Sequence, residues 1–396
     1  MSVHATPISA PPAQFEQPTV AEPVVSVVIP CLNEAGSVTQ CVETALATLT
    51  EADIPGEVIV VDNGSTDGSY ELAEAAGALV VHEPRRGYGS AYLAGFASAS
   101  GTYVVMADAD MTYDLREIPR FLAELRDGAD MVIGDRMSKI HLGAMPWHHR
   151  YIGNPLLSGL LNAFFHAGVR DAHCGMRAFR RDRLDQLQLR ATGMEFASEM
   201  VVRATRERLR IRQVDIEYLP RDGESKLSSF RDGWRHLRFM LLHSPSHLFI
   251  LPGAAVATLG ALISAMVLGQ VDIFGRQWDL HALIGGALLL IVGAQITSLG
   301  LCAHAYATYF MDYSERWFDR LRARLRLEHG LMLGSAITCV GVAISAYIAT
   351  RWVARGLGSL SQERTAILAA TLIVLGLQVI FSSFLLSILG LRRDRA

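Results

Sequence analysis

The sequence predicts an α/β domain built on a mostly parallel sheet, joined to an α-helical membrane domain of four spans arranged as two hairpins. Three observations carry that prediction. The chain has 396 residues, 51% of them hydrophobic and only 19% charged, with a mean hydropathy of +0.26. A soluble protein would have about 25% charged residues. The apolar excess is concentrated after about His247. Before that point, short β-branched runs alternate with helical patterns, as in a parallel sheet covered on both faces.

Residues 1–22 are rich in Pro, Ala, Ser and Thr and lack both a basic n-region and an apolar h-region, so a disordered tail is expected rather than a signal peptide. The α/β domain is expected over 23–227. Its strands fall at 24–30, 57–62, 78–82, 102–108 and 130–135. Between them, helical patterns run from Asn33 and Glu34 to about Leu49, and over about 70–76, 91–99 and 115–125. A juxtamembrane amphipathic helix is expected over 228–246, where Phe230, Trp234, Leu237 and Leu241 recur at helical spacing beside Arg231, Arg235 and Arg238. Tyr306, Tyr309, Phe310, Tyr313, Trp317 and Phe318 form a similar aromatic set beside the central arginines.

The membrane domain covers 247–390, with spans near 248–269, 282–303, 331–350 and 366–389, each long enough at 1.5 Å per residue to cross about 30 Å of hydrocarbon. None contains Asp, Glu, Lys or Arg, which argues against an ion-coupled transporter. Gly253 with Gly260, and Gly334 with Gly341, suit close helix packing. Arginines crowd the approach to the first span, the loop between the second and third (Arg316 to Arg326) and the tail at 391–396. The positive-inside rule then places the α/β domain and both ends in the cytoplasm of a cell membrane, expected to be bacterial. Self-association through the spans is compatible with this layout.

Composition also excludes partners. A net charge of −3 does not suit a nucleic-acid binder. The five scattered cysteines show neither a disulfide framework nor zinc spacing.

In a parallel sheet, ligands bind beyond the carboxyl ends of the strands. Three polar clusters fall there: Pro30-Cys31-Leu32-Asn33-Glu34, Asp62-Asn63-Gly64-Ser65-Thr66-Asp67-Gly68, and Asp108-Ala109-Asp110. Two carboxylates one residue apart supply hard oxygen ligands for Mg²⁺ or Mn²⁺ alongside phosphate oxygens. Neither GxGxxG after the first strand nor GxxxxGK[ST] occurs, so dinucleotide and P-loop readings fail.

Together these clusters resemble the family 2 nucleotide-sugar glycosyltransferases of the Rossmann-like GT-A fold, over residues 24–230. With the spans added, the chain resembles the polyprenyl-phosphate glycosyltransferases, the dolichyl-phosphate mannose and glucose synthase group. The resemblance implies transfer of one hexose or N-acetylhexosamine from a UDP- or GDP-sugar to a polyprenyl (dolichyl, undecaprenyl or decaprenyl) phosphate, with Mg²⁺ or Mn²⁺ as cofactor. It places Pro30, Asn33, Glu34, Asp62, Asn63, Ser65, Arg86 and Asp108 around the nucleotide sugar, and Asp108 and Asp110 on the metal. Asp110, Arg136 and Arg177 would be catalytic. Arg136, Arg221, Ser225 and Lys226 would hold the acceptor phosphate. Asp171, Cys174, Gly175 and Arg177 match an Asp-x-x-Ser-Gly-x-Arg segment, Glu195 and Glu199 a later acidic helix, and Arg221 to Lys226, reading Arg-x-Gly-x-Ser-Lys, an Arg-x-x-Gly-x-Ser-Lys loop one residue shorter after its arginine. The chain departs from common family patterns at Asn63, where Asp is frequent, at Tyr88, where many have lysine, and at Cys174, where serine is commoner.

Independently of the family, Arg221, Lys226, Arg231 and Arg235 precede the first span, where a lipid phosphate would lie. Such a phosphate has a second pKa near 6 and is already mostly dianionic at pH 7, so it needs no catalytic base. Three alternatives stay open. Transfer to a lipid hydroxyl would need a base such as Asp171, Glu195 or Glu199. A processive polysaccharide synthase would show Gln-x-x-Arg-Trp, which residues 180–246 lack. A membrane-anchored binding protein would have no use for the acidic pair.

Overall fold

The computed structural model describes residues 24–221, 229–273, 276–310, 316–324, 326–357 and 362–390. Ser225 and Lys226, both tails, Tyr313 and residues 222–228 lie outside them. Backbone packing divides the chain into two compact units, Met1–Phe239 and Met240–Ala396.

Among the described residues, the first unit is built on seven strands: β1 (Val25–Cys31), β2 (Gly56–Asp62), β3 (Leu79–His82), β4 (Tyr103–Met106), β5 (Met131–Ile140), β6 (Arg177–Arg180) and β7 (Ile211–Tyr218). Their order is β3-β2-β1-β4-β6-β5-β7. All pairings are parallel except those of β6, which runs antiparallel to both β4 and β5. The five expected strands are present. β6 and β7 add two the sequence pattern did not show. β6 has only Ala178 and Phe179 between arginines, too short an apolar run to stand out.

Helices α1 (Val38–Glu51), α2 (Ser69–Ala75), α3 (Tyr88–Ser98), α4 (Ile118–Arg126), α5 (Asn154–Phe165), α6 (Arg181–Leu187) and α7 (Phe196–Arg206) cover the sheet. The first starts later than expected, because Asn33 takes a left-handed φ of 53° and opens a loop. Val25, Val27, Val28 and Ile29 of β1 and Val58, Ile59, Val60 and Val61 of β2 are buried, each such side chain stabilising the fold by about 1.5–3 kcal/mol. Gly95 lets α3 lie directly on this sheet: a Cβ there would come within 2.3 Å of Val28 Cγ1. That close approach brings Tyr88 and Tyr92 to the carboxyl ends of the strands.

Helix α8 (Ser229–Leu242) buries a stripe that includes Met240 and leaves Arg231, Arg235 and Arg238 exposed. It buries Asp232 and His236 and exposes Phe230 and Trp234. His236 Nδ1 is 2.8 Å from Ser198 Oγ on α7, and its ring lies 4.4 Å from that of His173. Most of the helix falls in the first compact unit, which runs to Phe239.

Among the described residues, the second unit holds four helices apolar and long enough to cross a membrane: Ser246–Leu268, Leu280–Tyr309, Leu327–Ala354 and Glu363–Gly390. Each overlaps an expected span; the first stops one residue short of 269 and the second runs six residues past 303. The helices α9 (Leu251–Leu268) and α10 (Leu280–Phe310) pair, a short α11 (Arg316–Arg324) follows, and α12 (Leu327–Ala354) pairs with α13 (Glu363–Gly390). These are the two hairpins, and α10 also packs on α13. The glycines are the contact points: a Cβ on Gly260 would meet Leu290 N at 2.3 Å, and one on Gly334 would meet Gly376 O at 2.8 Å. Without a hydrophobic drive between helices in lipid, such close backbone approach supplies the packing.

Candidate active site

The β1 and β2 ends form one interlocked pair of loops. Ser65 Oγ accepts from Asn33 N at 3.0 Å, Asn33 Oδ1 accepts from Thr66 N at 2.8 Å, and Ser69 Oγ accepts from Glu34 N at 2.9 Å. Asp62 is buried and accepts from Ser65 N at 3.0 Å and Gly64 N at 3.2 Å, with His82 Nδ1 3.2 Å away. Burial alone would raise its pKa, but the hydrogen bonds from Ser65, Gly64 and His82 outweigh that and hold it below the ordinary value. Asn63 is turned into the protein. Its amide donates to Glu83 O (2.8 Å) and Arg85 O (2.9 Å), and its carbonyl accepts from Gly87 N (2.7 Å). Expected at the nucleotide, Asn63 instead fastens the Glu83–Gly87 turn. Arg86 is exposed, with Nη2 3.4 Å from Gly64 O at the mouth of these loops.

The β4 end is different. Asp108 Oδ1 accepts from Tyr88 OH at 3.2 Å and Tyr92 OH at 3.4 Å, and Oδ2 lies so near Gly175 that a Cβ there would stand 2.7 Å from it. Burial, then the nearby Asp110 carboxylate, push the Asp108 pKa up to about 7. Asp110 is buried, its Oδ1 bound by Thr112 Oγ1 (2.6 Å) and N (3.1 Å), and its Oδ2 lies 2.5 Å from Arg221 Nη2. Among the described residues no group of three His, Cys, Asp or Glu could hold a metal ion. The β4 end offers two aspartates, Asp108 and Asp110, hard oxygen donors of the kind Mg²⁺ or Mn²⁺ would accept alongside other oxygen ligands. The unfavourable ionisation of Asp108 is one that a divalent cation would relieve.

Arg136, on β5, is buried and forked onto the fully buried Asp171, Nε to Oδ2 at 2.7 Å and Nη2 to Oδ1 at 2.9 Å. Its Nη1 reaches Tyr113 OH at 3.4 Å, and its guanidinium lies 5.2 Å from the Tyr218 ring centre. The same Tyr113 OH accepts from Gly175 N at 2.8 Å. Residues 171–177, Arg136 and Asp108 therefore form one packed wall.

Arg177, expected among the catalytic residues, does not reach that wall's surface. It is 0% exposed, and its guanidinium donates to the carbonyls of Cys174 (2.8 Å), Ala197 (2.9 Å) and Ala172 (2.8 Å). It tethers the 172–174 loop to α7. Glu199 is likewise committed, accepting from Arg190 N, Ala191 N and Arg203 Nε. Sequence reasoning missed Tyr92, Tyr113 and Tyr218 as parts of the site, and read Tyr88 only as a replacement for lysine. For Tyr88 the Gly-Tyr-Gly turn was the available signal. For the others there was none, since a phenol in an apolar context reads as core.

Two family models match. One, described as Glycosyl transferase family 2, covers residues 26–188, and one described as the glycosyltransferase family 2 C-terminal transmembrane region covers 301–390. A low-salt glycan biosynthesis hexosyltransferase of Haloferax volcanii is 42% identical over 370 residues, spanning 93% of this chain and 89% of its own. A dolichyl-phosphate hexose transferase of the same organism is 36% identical over 198 residues, 49% of this chain and 84% of that one. An undecaprenyl-phosphate 4-deoxy-4-formamido-L-arabinose transferase of Proteus mirabilis is 28% identical over 316 residues, 76% of this chain and 91% of its length. With relatives matched across both units, and with the strand ends arranged as described, this chain belongs to glycosyltransferase family 2, a GT-A domain followed by that family's membrane region.

Proposed function

We propose that the protein is an inverting glycosyltransferase that moves one hexose or N-acetylhexosamine from a UDP- or GDP-sugar to a polyprenyl phosphate at the cytoplasmic face of the cell membrane. The observation that carries this reading is the contact between Asp110 Oδ2 and Arg221 Nη2 at 2.5 Å. It joins the carboxylates suited to the donor's metal with the arginine suited to the acceptor's phosphate in one crevice. The relatives named for dolichyl and undecaprenyl phosphate support the acceptor class, and the arginine-rich flanks of the spans support the orientation.

Asp108 and Asp110 would hold Mg²⁺ or Mn²⁺, which when bound neutralises the leaving diphosphate. The loops at Asn33, Glu34, Asp62, Ser65 and Arg86 would take the nucleotide. The acceptor phosphate oxygen attacks the anomeric carbon, a new C–O bond forms as the bond to the diphosphate breaks, and the electron pair leaves with the nucleoside diphosphate. Configuration inverts because attack and departure are on opposite faces. Arg221 and Arg136, with Ser225 and Lys226 from the loop outside the described residues, would offset the repulsion between the two anions. Arg136 stays ionised at any working pH: the carboxylate of Asp171 raises its pKa despite burial, which alone would lower it.

No base is needed for a dianionic phosphate. That suits the site, because Asp171 is locked to Arg136 and Glu199 to α6–α7 backbone and Arg203. A lipid hydroxyl acceptor would leave only Glu195 of the three candidate bases. The test is turnover by the purified full-length protein with a panel of nucleotide sugars, Mn²⁺ or Mg²⁺, and either a polyprenyl phosphate or the matching polyprenol. Product is expected with the phosphate and not the alcohol; efficient use of the alcohol overturns the reading.

A further inference from the structure

A serine and two histidines meet away from the reacting groups. Ser198, on α7, and His236, on α8, are 0% and 7% exposed. Ser198 Oγ stands between two imidazoles, 2.8 Å from His236 Nδ1 and 3.2 Å from His173 Nε2. A hydroxyl carries one proton, so it donates to one ring and accepts from the other. His173 Nδ1 decides which. It is buried with no hydrogen-bond partner among the described residues, and a bare lone pair is less costly to leave unmet there than an N–H. The proton therefore sits on His173 Nε2, which donates to Ser198 Oγ, and the Ser198 hydroxyl donates to His236 Nδ1. Burial keeps both rings neutral. It lowers the His236 pKa to about 4 against the opposing pull of Asp232, and lowers that of His173, with His236, Arg177 and Arg136 acting in the same sense.

This relay links two elements that face the acceptor in the reading above. At one end, His173 N donates to Asp171 Oδ1 at 3.3 Å, and Asp171 forks onto Arg136. At the other, α8 begins at Ser229, and Arg221 is the last described residue before it. Arg177 already ties the 172–174 loop to α7, through Ala172 O beside His173 and Ala197 O beside Ser198. What the histidine pair adds is α8. The donor loops, by contrast, are fastened among themselves, Asn33 to Ser65 and Thr66, and Ser65 to Asp62.

An apolar contact would also bury α8, but it would let the helix slide. A buried chain of hydrogen bonds with one donor direction specifies a single register. We propose that His173, Ser198 and His236 are positioning residues that hold α8 against the 171–177 wall and so fix the acceptor, rather than the donor, relative to the reacting carbon. The inference rests on the acceptor lying beside Arg136 and Arg221, as proposed above, whichever acceptor that is.

The experiment compares Ser198→Ala, His236→Leu and His236→Asn in the full-length protein in nanodiscs, with whichever acceptor, polyprenyl phosphate or polyprenol, the parent turns over. Asn can present Oδ1 where His236 presents Nδ1, and Leu cannot. Ser198→Ala and His236→Leu should raise the acceptor KM about tenfold, while the donor KM and Mn²⁺ affinity move by less than about twofold. His236→Asn should bring the acceptor KM back to within about threefold of the parent. Equal losses for donor and acceptor, or an unchanged acceptor KM, overturn the proposal. So does His236→Asn behaving like His236→Leu, which would mark the site as packing alone. A parent that prefers the alcohol overturns the phosphate reading, and the donor–acceptor split still decides this one. Long-range ¹⁵N–¹H spectra of histidine-labelled parent protein need no active variant, their signals being assigned by loss in His173→Gln and His236→Asn. Both residues should show a protonated Nε2 and a bare Nδ1; a proton on either Nδ1 overturns the relay.

Discussion

At the end of β2, Asp62 accepts hydrogen bonds from the backbone of its own turn, and its pKa falls below the ordinary value. At the end of β4, Asp108 receives only two long phenol hydrogen bonds, faces a second carboxylate, and its pKa rises to about 7. Both are aspartates leaving a buried parallel strand two or fewer residues past its last position. The sequence motif is alike and the electrostatics are opposite. Where backbone N–H groups satisfy a carboxylate, it shapes a loop; where two long phenol contacts leave its charge poorly compensated, a cation would relieve it. The comparison predicts that removing the first charge harms the fold, and removing the second harms only the chemistry.

The largest effect is expected at the second site. Asp110→Asn, or Asp108→Asn, should lower turnover by about 10³-fold or more, equivalent to about 4 kcal/mol of transition-state stabilisation. Asp108→Asn should leave thermal stability at pH 8 equal to or above that of the parent, because a buried like-charge pair is relieved. Initial rates and unfolding midpoints on the same preparations check both parts. A large loss of stability in Asp108→Asn would break the comparison.

This contrast also marks what could be read from residues alone. Strands β1, β2 and β4 announce themselves as valine and isoleucine runs, and their polar ends follow from the rule that ligands sit at strand termini. What the pattern cannot reveal is which way a polar side chain turns. Arg177 lies in a segment that reads as catalytic, yet its guanidinium is spent on three backbone carbonyls. Asn63 lies in the nucleotide motif, yet its amide holds the 83–87 turn. Tyr88, Tyr113 and Tyr218 come from three distant segments and meet only after the sheet forms. Helix α8 was legible as amphipathic, but the stripe it buries, Asp232, His236 and Met240, is neither the aromatic face nor the arginine face that the spacing shows.

The next effect falls on the satisfied end. Asn63→Ala deletes three hydrogen bonds and leaves buried partners unmet, which should cost about 3 kcal/mol of stability. Asp62→Ala should cost about 2 kcal/mol, by freeing the N–H groups of Gly64 and Ser65. Metal affinity should be unchanged in both, as measured by Mn²⁺ titration. A shift in Mn²⁺ affinity without loss of stability would show that the β2 end reaches the cation.

Tyr88→Phe sharpens the picture of the β4 end. It removes one hydrogen bond to a charged group, worth about 1.5 kcal/mol, so Mn²⁺ binding at pH 7.5 should weaken up to about tenfold. The donor's KM at saturating Mn²⁺ should stay the same. If Mn²⁺ affinity is unaltered, Tyr88 packs against Asp108 without assisting its ionised form.

The smallest effect is a pH slope, and its sign separates the two ends. Asp108 has a folded pKa near 7 against an ordinary value of 3.8. Between those values the folded chain binds more protons than the unfolded one, so stability falls as pH rises through this window. Asp62 has the opposite shift. It contributes stability that is present above its unfolded value and lost as pH falls through its depressed folded pKa. In protein treated with chelator, the unfolding midpoint should therefore decline gently from about pH 4 to pH 7, by less than about 1 kcal/mol per pH unit, since Arg221 and Arg136 damp the repulsion. Asp108→Asn should flatten that decline, whereas Asp62→Asn should leave it in place and weaken the loss below pH 4. Excess Mn²⁺ should raise the midpoint most at the alkaline end, where the carboxylate is already ionised and binding displaces no proton. An unchanged slope in Asp108→Asn would mean that the buried aspartate is not the group awaiting the cation.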